Sequence, residues 1–318
     1  MTCFVVGESL VDVFETEEGT VELPGGAPYN VARGLALLGR KVNLATDIGS
    51  GPRASVLKET LTKSGAKLWP GSETDNPTSS ARATVGSDGQ GTYEFDLHFT
   101  PPVAPVPGTE EARQLVSLSP SILHTGSLAV HVAPEVMRGW IHALSDVSTI
   151  SYDPNYREGL GPHDQVLERT EEFIRLSDVV KASQADLRAL YPTMSQQAVI
   201  SRWLSMGPQL VAITGGSEGA VVATENVQVR STTPPVTVVD QVGAGDAFMS
   251  GLIDALGRTS MLGVGSRESR RRLSERQLTS IAGYANAGAA ITVSRRGAVP
   301  PTRDELLDFV SSYSVVSS

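Results

Sequence analysis

Apolar residues recur along this chain with two different periods, and the switches between them mark out its elements. Residues 3–12 read as a buried first strand ending in an acid, Asp12, and 42–46 as a second strand. Residues 28–39 read as a helix: Val31, Leu35 and Leu38 share one face, Pro28 suits a first turn and Gly39 a C-terminal cap. Further helices are expected over 55–65 and 134–144, and strands over 121–124, 149–152, 210–214 and 220–223, with a strand-to-helix crossing at 178–187. Such alternation implies a mostly parallel sheet covered by helices, so the expected fold class is a three-layer α/β/α sandwich in a single domain spanning 1–318. Ligands on such sheets bind beyond the carboxyl ends of the strands, where Thr125, Asp153 and Arg157 fall.

Two stretches break this pattern. Residues 13–23 turn around Glu17-Glu18-Gly19, and 81–97 alternate around Ser87-Asp88-Gly89-Gln90-Gly91, so each reads as an antiparallel hairpin. They are expected to stand outside the main sheet as a small β lid built from two insertions, about 13–24 and 78–99. A lid suits a site that must exclude water, and its open edges suit pairing with a second copy in a homodimer.

The centre of the chain is 236–256. A β-branched run, Val236-Thr237-Val238-Val239, reads as a strand; Asp240-Gln241-Val242-Gly243-Ala244-Gly245-Asp246 comes next as a Gly-rich turn; and Phe248, Leu252 and Leu256 recur at helical spacing. Such a turn presents consecutive N–H groups at the positive end of a helix, a cup for an anion. Asp246 stands inside the first helical turn, beside that cup. It is either an acid that stabilises a helix N-terminus or a general base that takes a proton from an attacking hydroxyl.

Composition narrows the function classes. A net charge of −9 argues against nucleic-acid binding, which needs Lys and Arg on phosphates. The single cysteine, Cys3, excludes an internal disulfide and a cysteine-cage metal site and suits a reducing cytosol. No apolar stretch is long enough to span a bilayer, and the N-terminus reads as a strand rather than a signal, so a soluble, cytoplasmic protein is expected.

The stretch 240–248 resembles the D-x-x-G-A-G-D-x-F signature of the ribokinase-like (phosphofructokinase-B type) carbohydrate kinases, matched by Asp240, Gly243, Ala244, Gly245, Asp246 and Phe248. Gly25-Gly26-Ala27-Pro28-Tyr29-Asn30 resembles the N-terminal part of the same family, and Asp153-Pro154-Asn155-Tyr156-Arg157 its D-P-N-x-R segment. The combination is most similar to fructokinases. The resemblance implies ATP-dependent phosphorylation of a sugar hydroxyl, with Asp246 as base and the N–H groups of Gly243, Ala244 and Gly245 as the anion hole. It implies sugar contacts from Asp12, Gly26 and Asn30, joined by Arg157 and by lid residues such as Tyr93 or Phe95. Nucleotide contacts would come from Lys181, Ser183, Thr214, Gly216, Gly219, Gly245 and Asn286.

Mg²⁺ would arrive with ATP, with Asp186 acting through water. A monovalent cation, K⁺, would sit among Asp240, Val242, Thr292 and Gly297, although Pro300-Pro301 stands where relatives often place a small polar residue. Ser183 and Asp186 replace the family's usual N-x-x-E, and Ser-x-x-Asp is also close to a helix capping box. Arg157 is either a clamp on a carboxylate, sugar oxygen or phosphate, or a surface loop arginine.

Other motifs fall away. Gly215-Gly216-Ser217-Glu218-Gly219 contains G-x-S-x-G, but the chain from Ala220 onward is β-like and no histidine lies after the serine, so it is not a nucleophile elbow. There is no G-x-x-x-x-G-K-[ST] and no G-x-G-x-x-G. The histidines show no ligand spacing, and the arginine-rich stretch 262–276 reads as a solvated face. Fructose is the substrate favoured; ribose, 2-keto-3-deoxygluconate and a nucleoside remain open, as does a catalytically silent relative.

Overall fold

The structure, a computed structural model, describes residues 1–16, 19–85 and 91–316, with the side chains at 16, 83–85, 91–93 and 314–316 left out. Among the described residues thirteen strands form two sheets. They are β1 (Thr2–Val6), β2 (Leu10–Thr16), β3 (Gly19–Gly25), β4 (Lys41–Ala45), β5 (Lys67–Leu68), β6 (Ser80–Val85) and β7 (Gly91–Asp96). The rest are β8 (Pro120–Gly126), β9 (Thr149–Asp153), β10 (Val179–Ser183), β11 (Leu210–Thr214), β12 (Ala220–Ala223) and β13 (Gln228–Ser231).

The main sheet runs β13-β12-β11-β10-β9-β8-β1-β4-β5, parallel from β11 to β5, with β12 antiparallel to β11 and to β13. Successive strand residues point to opposite faces, and each face buries its own core. Cys3 and Val5 of β1 pack with the helices Ala27–Leu37, Ala244–Arg258 and Glu275–Val293. Phe4 and Val6 face the other way, with Trp69 and Trp140. This is the expected α/β/α sandwich. A separate four-stranded sheet, β3-β2-β6-β7, joins two antiparallel hairpins through a parallel β2–β6 pair. The turn residues 17–18 and 86–90, and the Tyr93 side chain, lie outside the described residues.

Three expectations are corrected. Residues 3–12 are not one strand: β1 ends at Val6, Gly7 to Ser9 cross over, and Asp12 lies within β2 of the second sheet, opposite Leu23. Gly7-Glu8-Ser9, which interrupts the apolar run, marks the change of sheet. No strand forms at 236–239; the segment is irregular, tied to the Glu275–Val293 helix where Val293 O accepts from Val239 N at 2.8 Å. β-Branched residues favour a pleated surface only where a strand edge is available. In the arginine-rich stretch, Arg270 is fully buried, donating to Thr149 Oγ1 (3.0 Å), Met261 O (2.8 Å) and Gln209 Oε1 (2.9 Å). It fastens the strand ends there rather than facing water.

Candidate active site

The Gly-rich turn opens the helix Ala244–Arg258, whose N-cap, Gly243, has φ 75°. A side chain at Gly243 would be strained in that conformation and would strike Ala298 Cβ at 2.5 Å. The first N–H groups of a helix have no intrahelical acceptor. That of Ala244 leans on Gln241 O at 3.3 Å, and those of Gly245 and Asp246 come after it. Gly245 is bare for a reason: a Cβ there would lie 2.7 Å from Lys181 Nζ. Small residues also let this helix sink into the fold, since Gly251 meets Ala285 Cα at 3.0 Å and Gly34 meets Ser250 Oγ at 2.5 Å, measured from a Cβ built on each.

Two cavities adjoin this turn. One, of 400 Å³, is lined by polar groups including Glu8, Asp12, Asn30, Arg157, Lys181 and Asp246, and is roofed from the second sheet by Phe14, Ala81 and Phe95. The other, of 670 Å³, is lined largely by apolar groups, among them Pro234, Val236, Val238, Ala290 and Val293. Both share Thr214, Gln241, Ala244 and Gly245. A molecule in each would meet at the helix N-terminus.

Asp246 Oδ2 accepts from Asn30 Nδ2 at 2.9 Å, and Asn30 Oδ1 is buried with no partner among the described residues. Burial holds the Asp246 carboxyl above its usual value against the pull of Lys181, Asn30 and Arg157. A carboxylate made more basic in this way can take a proton from a hydroxyl placed against it. Asp12 is pushed up to about 6, by burial first, with Arg157 opposing and Asp246 adding. Lys181 is buried and donates to Asp153 Oδ2 at 2.7 Å; burial pulls its pKa down, and the carboxylates of Asp153, Asp246 and Asp186 pull it further up. Arg157 forms no ion pair among the described residues, donating through Nη1 to the carbonyls of Asn155 (3.3 Å) and Tyr156 (2.9 Å).

Ser183 and Asp186 form a capping box: Ser183 Oγ accepts from Asp186 N (3.0 Å) and Asp186 Oδ2 from Ser183 N (2.6 Å). Asp186 Oδ1 also accepts from Tyr156 N at 2.8 Å, so it pins the loop bearing Arg157. Both residues still line the polar cavity, as does Gly26. In the apolar cavity Gly216 (φ 59°) faces open space, whereas at Gly219 a Cβ would strike Ser231 O at 2.0 Å, so that glycine serves contact with β13. Asn286 lines the cavity with its amide donated to Ser231 O (3.0 Å) and Oγ (2.9 Å). Asp240 accepts from Val242 N (3.0 Å) and Gly297 N (2.8 Å), and Val293 O accepts from Asp240 N (3.2 Å), which draws the turn against 292–297.

Among the described residues no three His, Cys, Asp or Glu side chains gather as metal ligands. The carboxylate of Asp186, which lines the polar cavity, is of a type that would suit a divalent ion carried on phosphate oxygens and water.

Sequence patterns alone did not point to Glu8. It is 1% exposed, Oε2 accepts from Ala129 N at 3.0 Å, and burial pushes its carboxyl up to about 7. An acid directly after a buried strand was the available signal. Val236 and Val238 were missed as cavity lining because they read as a strand, and Pro234 and Pro235 before them carried no reading.

The profile described as pfkB family carbohydrate kinase matches residues 2–305. The chain is 30% identical to probable fructokinase-7 of Arabidopsis thaliana over 98% of this chain and 92% of that protein. It superposes on the crystal structure of fructokinase with bound ATP from Xylella fastidiosa with TM-score 0.83 at 24% identity, covering 98% of this chain and 99% of that one. Aminoimidazole riboside kinase from Salmonella enterica, solved with aminoimidazole riboside and an ATP analog, gives 0.75 at 22% identity over 98% and 100%. The family match over nearly the whole length, on this fold and around these two joined cavities, makes the chain a member of the pfkB family of carbohydrate kinases and an ATP-dependent sugar kinase.

Proposed function

We propose that the protein phosphorylates fructose, with the sugar in the polar cavity and ATP in the apolar one. The observation that carries this is the contact of the two cavities at Ala244–Gly245, with Asp246 on the sugar side held by Asn30. Asp246 takes the proton of the attacking hydroxyl, and the N–H groups of Gly243 to Asp246 hold the transferring phosphoryl group. Asp12, Gly26, Asn30 and the roof residues orient the sugar. Lys181, Ser183, Thr214, Gly216, Gly219 and Asn286 line the nucleotide's path, and Lys181 adds positive charge where phosphate oxygens converge. Asp186, on the wall of the polar cavity, would hold a nucleotide-borne Mg²⁺ through water, and the ion would supply neutralisation of phosphate charge. K⁺ is assigned to the turn made by Asp240, Val242, Thr292 and Gly297. Fructokinase relatives and structures favour fructose, and four carboxyls, Glu8, Asp12, Asp186 and Asp246, against two cations, Arg157 and Lys181, suit a neutral polyol better than an anion.

A second reading rests on Arg157, whose guanidinium lacks an ion-pair partner among the described residues and could face the carboxylate of 2-keto-3-deoxygluconate. A homodimer through the edges β3 and β7 belongs to the proposal, and so does residence in a reducing cytosol, supported by the buried free thiol of Cys3. No helix among the described residues is long and apolar enough to cross a membrane.

The test is ADP release with Mg-ATP on fructose, ribose, 2-keto-3-deoxygluconate, adenosine and fructose phosphates, with and without K⁺, using Asp246→Asn as control. Turnover on fructose alone, lost in the variant, is expected. Preference for 2-keto-3-deoxygluconate would transfer the assignment to the second reading, and turnover that survives in the variant would remove Asp246 as base.

A further inference from the structure

Beyond the site itself, one buried carboxylate has an unusual set of partners. Asp47 lies just past β4, is 1% exposed and has no cation among its hydrogen-bond partners in the described residues. Its Oδ1 accepts from Gly49 N (3.0 Å) and Thr74 Oγ1 (2.6 Å). Its Oδ2 accepts from Asn76 Nδ2, Thr100 N and Thr100 Oγ1, each at 2.9 Å. Thr74 and Asn76 lie where the chain leaves the core for β6; Thr100 lies where it returns from β7. One carboxylate thus grips both crossings of the second hairpin.

The grip is reinforced on one side. Thr78 Oγ1 donates to Ile48 O at 2.9 Å, Asn76 Nδ2 also donates to Thr100 Oγ1 at 2.7 Å, and at Gly49 (φ 66°) a Cβ would lie 2.7 Å from Thr78 N. Burial works against the charge of Asp47, but the hydrogen bonds from Thr74, Thr100 and Asn76 outweigh it and hold its pKa below the usual value. Ala81 and Phe95, which roof the polar cavity, hang from these two crossings.

We propose that Asp47 is a positioning residue for sugar phosphorylation: it clamps the β6–β7 hairpin at its base so that Ala81 and Phe95 close over the sugar at one fixed height. This rests on the polar cavity's being the sugar site. Five donors converge on a group that only accepts, so an amide at this position would turn a donor against them. With the clamp loosened, sugar loses contact area and water reaches the phosphoryl group, whereas the base and anion cup remain in place.

The test is Asp47→Asn on the sugar that the wild-type protein turns over. The sugar KM is expected to rise about 10-fold with kcat changed less than about 3-fold, as loss of a hydrogen-bonded clamp predicts. ADP released per sugar phosphate is expected to rise above the wild-type ratio, which a merely less stable fold would not produce. Thr100→Val, which keeps the backbone N–H bond, should show the same split more weakly and covers the case in which Asp47→Asn does not fold. Hydrogen exchange reads the clamp without turnover: amides of β6 and β7 should exchange faster in either variant while those of β1 and β8 do not. Wild-type KM, coupling ratio and exchange in a folded variant would overturn the proposal. Silence of the wild-type protein on every sugar would sink the sugar-site reading instead, and faster exchange would then still support the clamp.

Discussion

The two cavities meet at one helix N-terminus and are built from opposite materials. The polar one gathers Glu8, Asp12, Asn30, Arg157 and Asp246, and directed hydrogen bonds hold Glu8, Asn30, Arg157 and Asp246 in place. The apolar one is made by 234–238 lying against the Glu275–Val293 helix, with its polar side chains, such as Asn286, spent on the protein's own backbone. Directional groups discriminate among hydroxyl patterns because an unpaired buried partner is costly. Apolar surface holds a flat base without reading its edges. If the sugar occupies the polar cavity and ATP the apolar one, as proposed, specificity belongs to the first and adhesion to the second.

This contrast can be broken in a graded way. Asp246→Asn should lower kcat by about 10²- to 10⁴-fold, with sugar binding by calorimetry preserved, as expected for loss of a general base. Asp12→Asn should raise the sugar KM about 10- to 100-fold and leave the ATP KM unchanged, because a charged hydrogen-bond acceptor is lost from one side only. Val238→Asp, at a position 57% exposed on the apolar cavity, should raise the ATP KM about 3- to 10-fold without moving the sugar KM. If both KM values moved together in either variant, the division of labour would be wrong.

The smallest effect on turnover, and the clearest on stability, concerns Glu8. Its folded carboxyl is raised from 4.5 to about 7, so its contribution is intact below the unfolded value and is lost as pH rises through about 7. Glu8→Gln should flatten the wild-type loss of unfolding free energy between pH 5 and 8 by on the order of 2–3 kcal/mol, read by chemical denaturation. An unchanged slope would show that the carboxyl is not buried as described.

Local chemistry was legible wherever the reason for a residue lay within a few positions of it. Gly243 with Asp246, the helix after Pro28 and the capping box of Ser183 and Asp186 each explain themselves within one turn of chain. The valines of 236–239 misled for the same reason, since propensity cannot see whether a strand edge is present. Arg270 misled because its acceptors come from Thr149, Gln209 and Met261, far away in sequence or across a loop.

By itself, then, the order of residues determined the parallel core, the two hairpins and the Gly-rich turn that opens the Ala244–Arg258 helix, because hydrophobic period and glycine conformation act over short stretches. Only the tertiary structure decided which distant groups are hydrogen-bonded to one another. Asn30 and Asp246 are 216 positions apart, Glu8 and Ala129 121, and Asp47 and Thr100 53. Hydrogen bonds of this kind depend on distances of about 3 Å that no spacing in the chain encodes; they are set by how the sheet stacks its strand ends side by side.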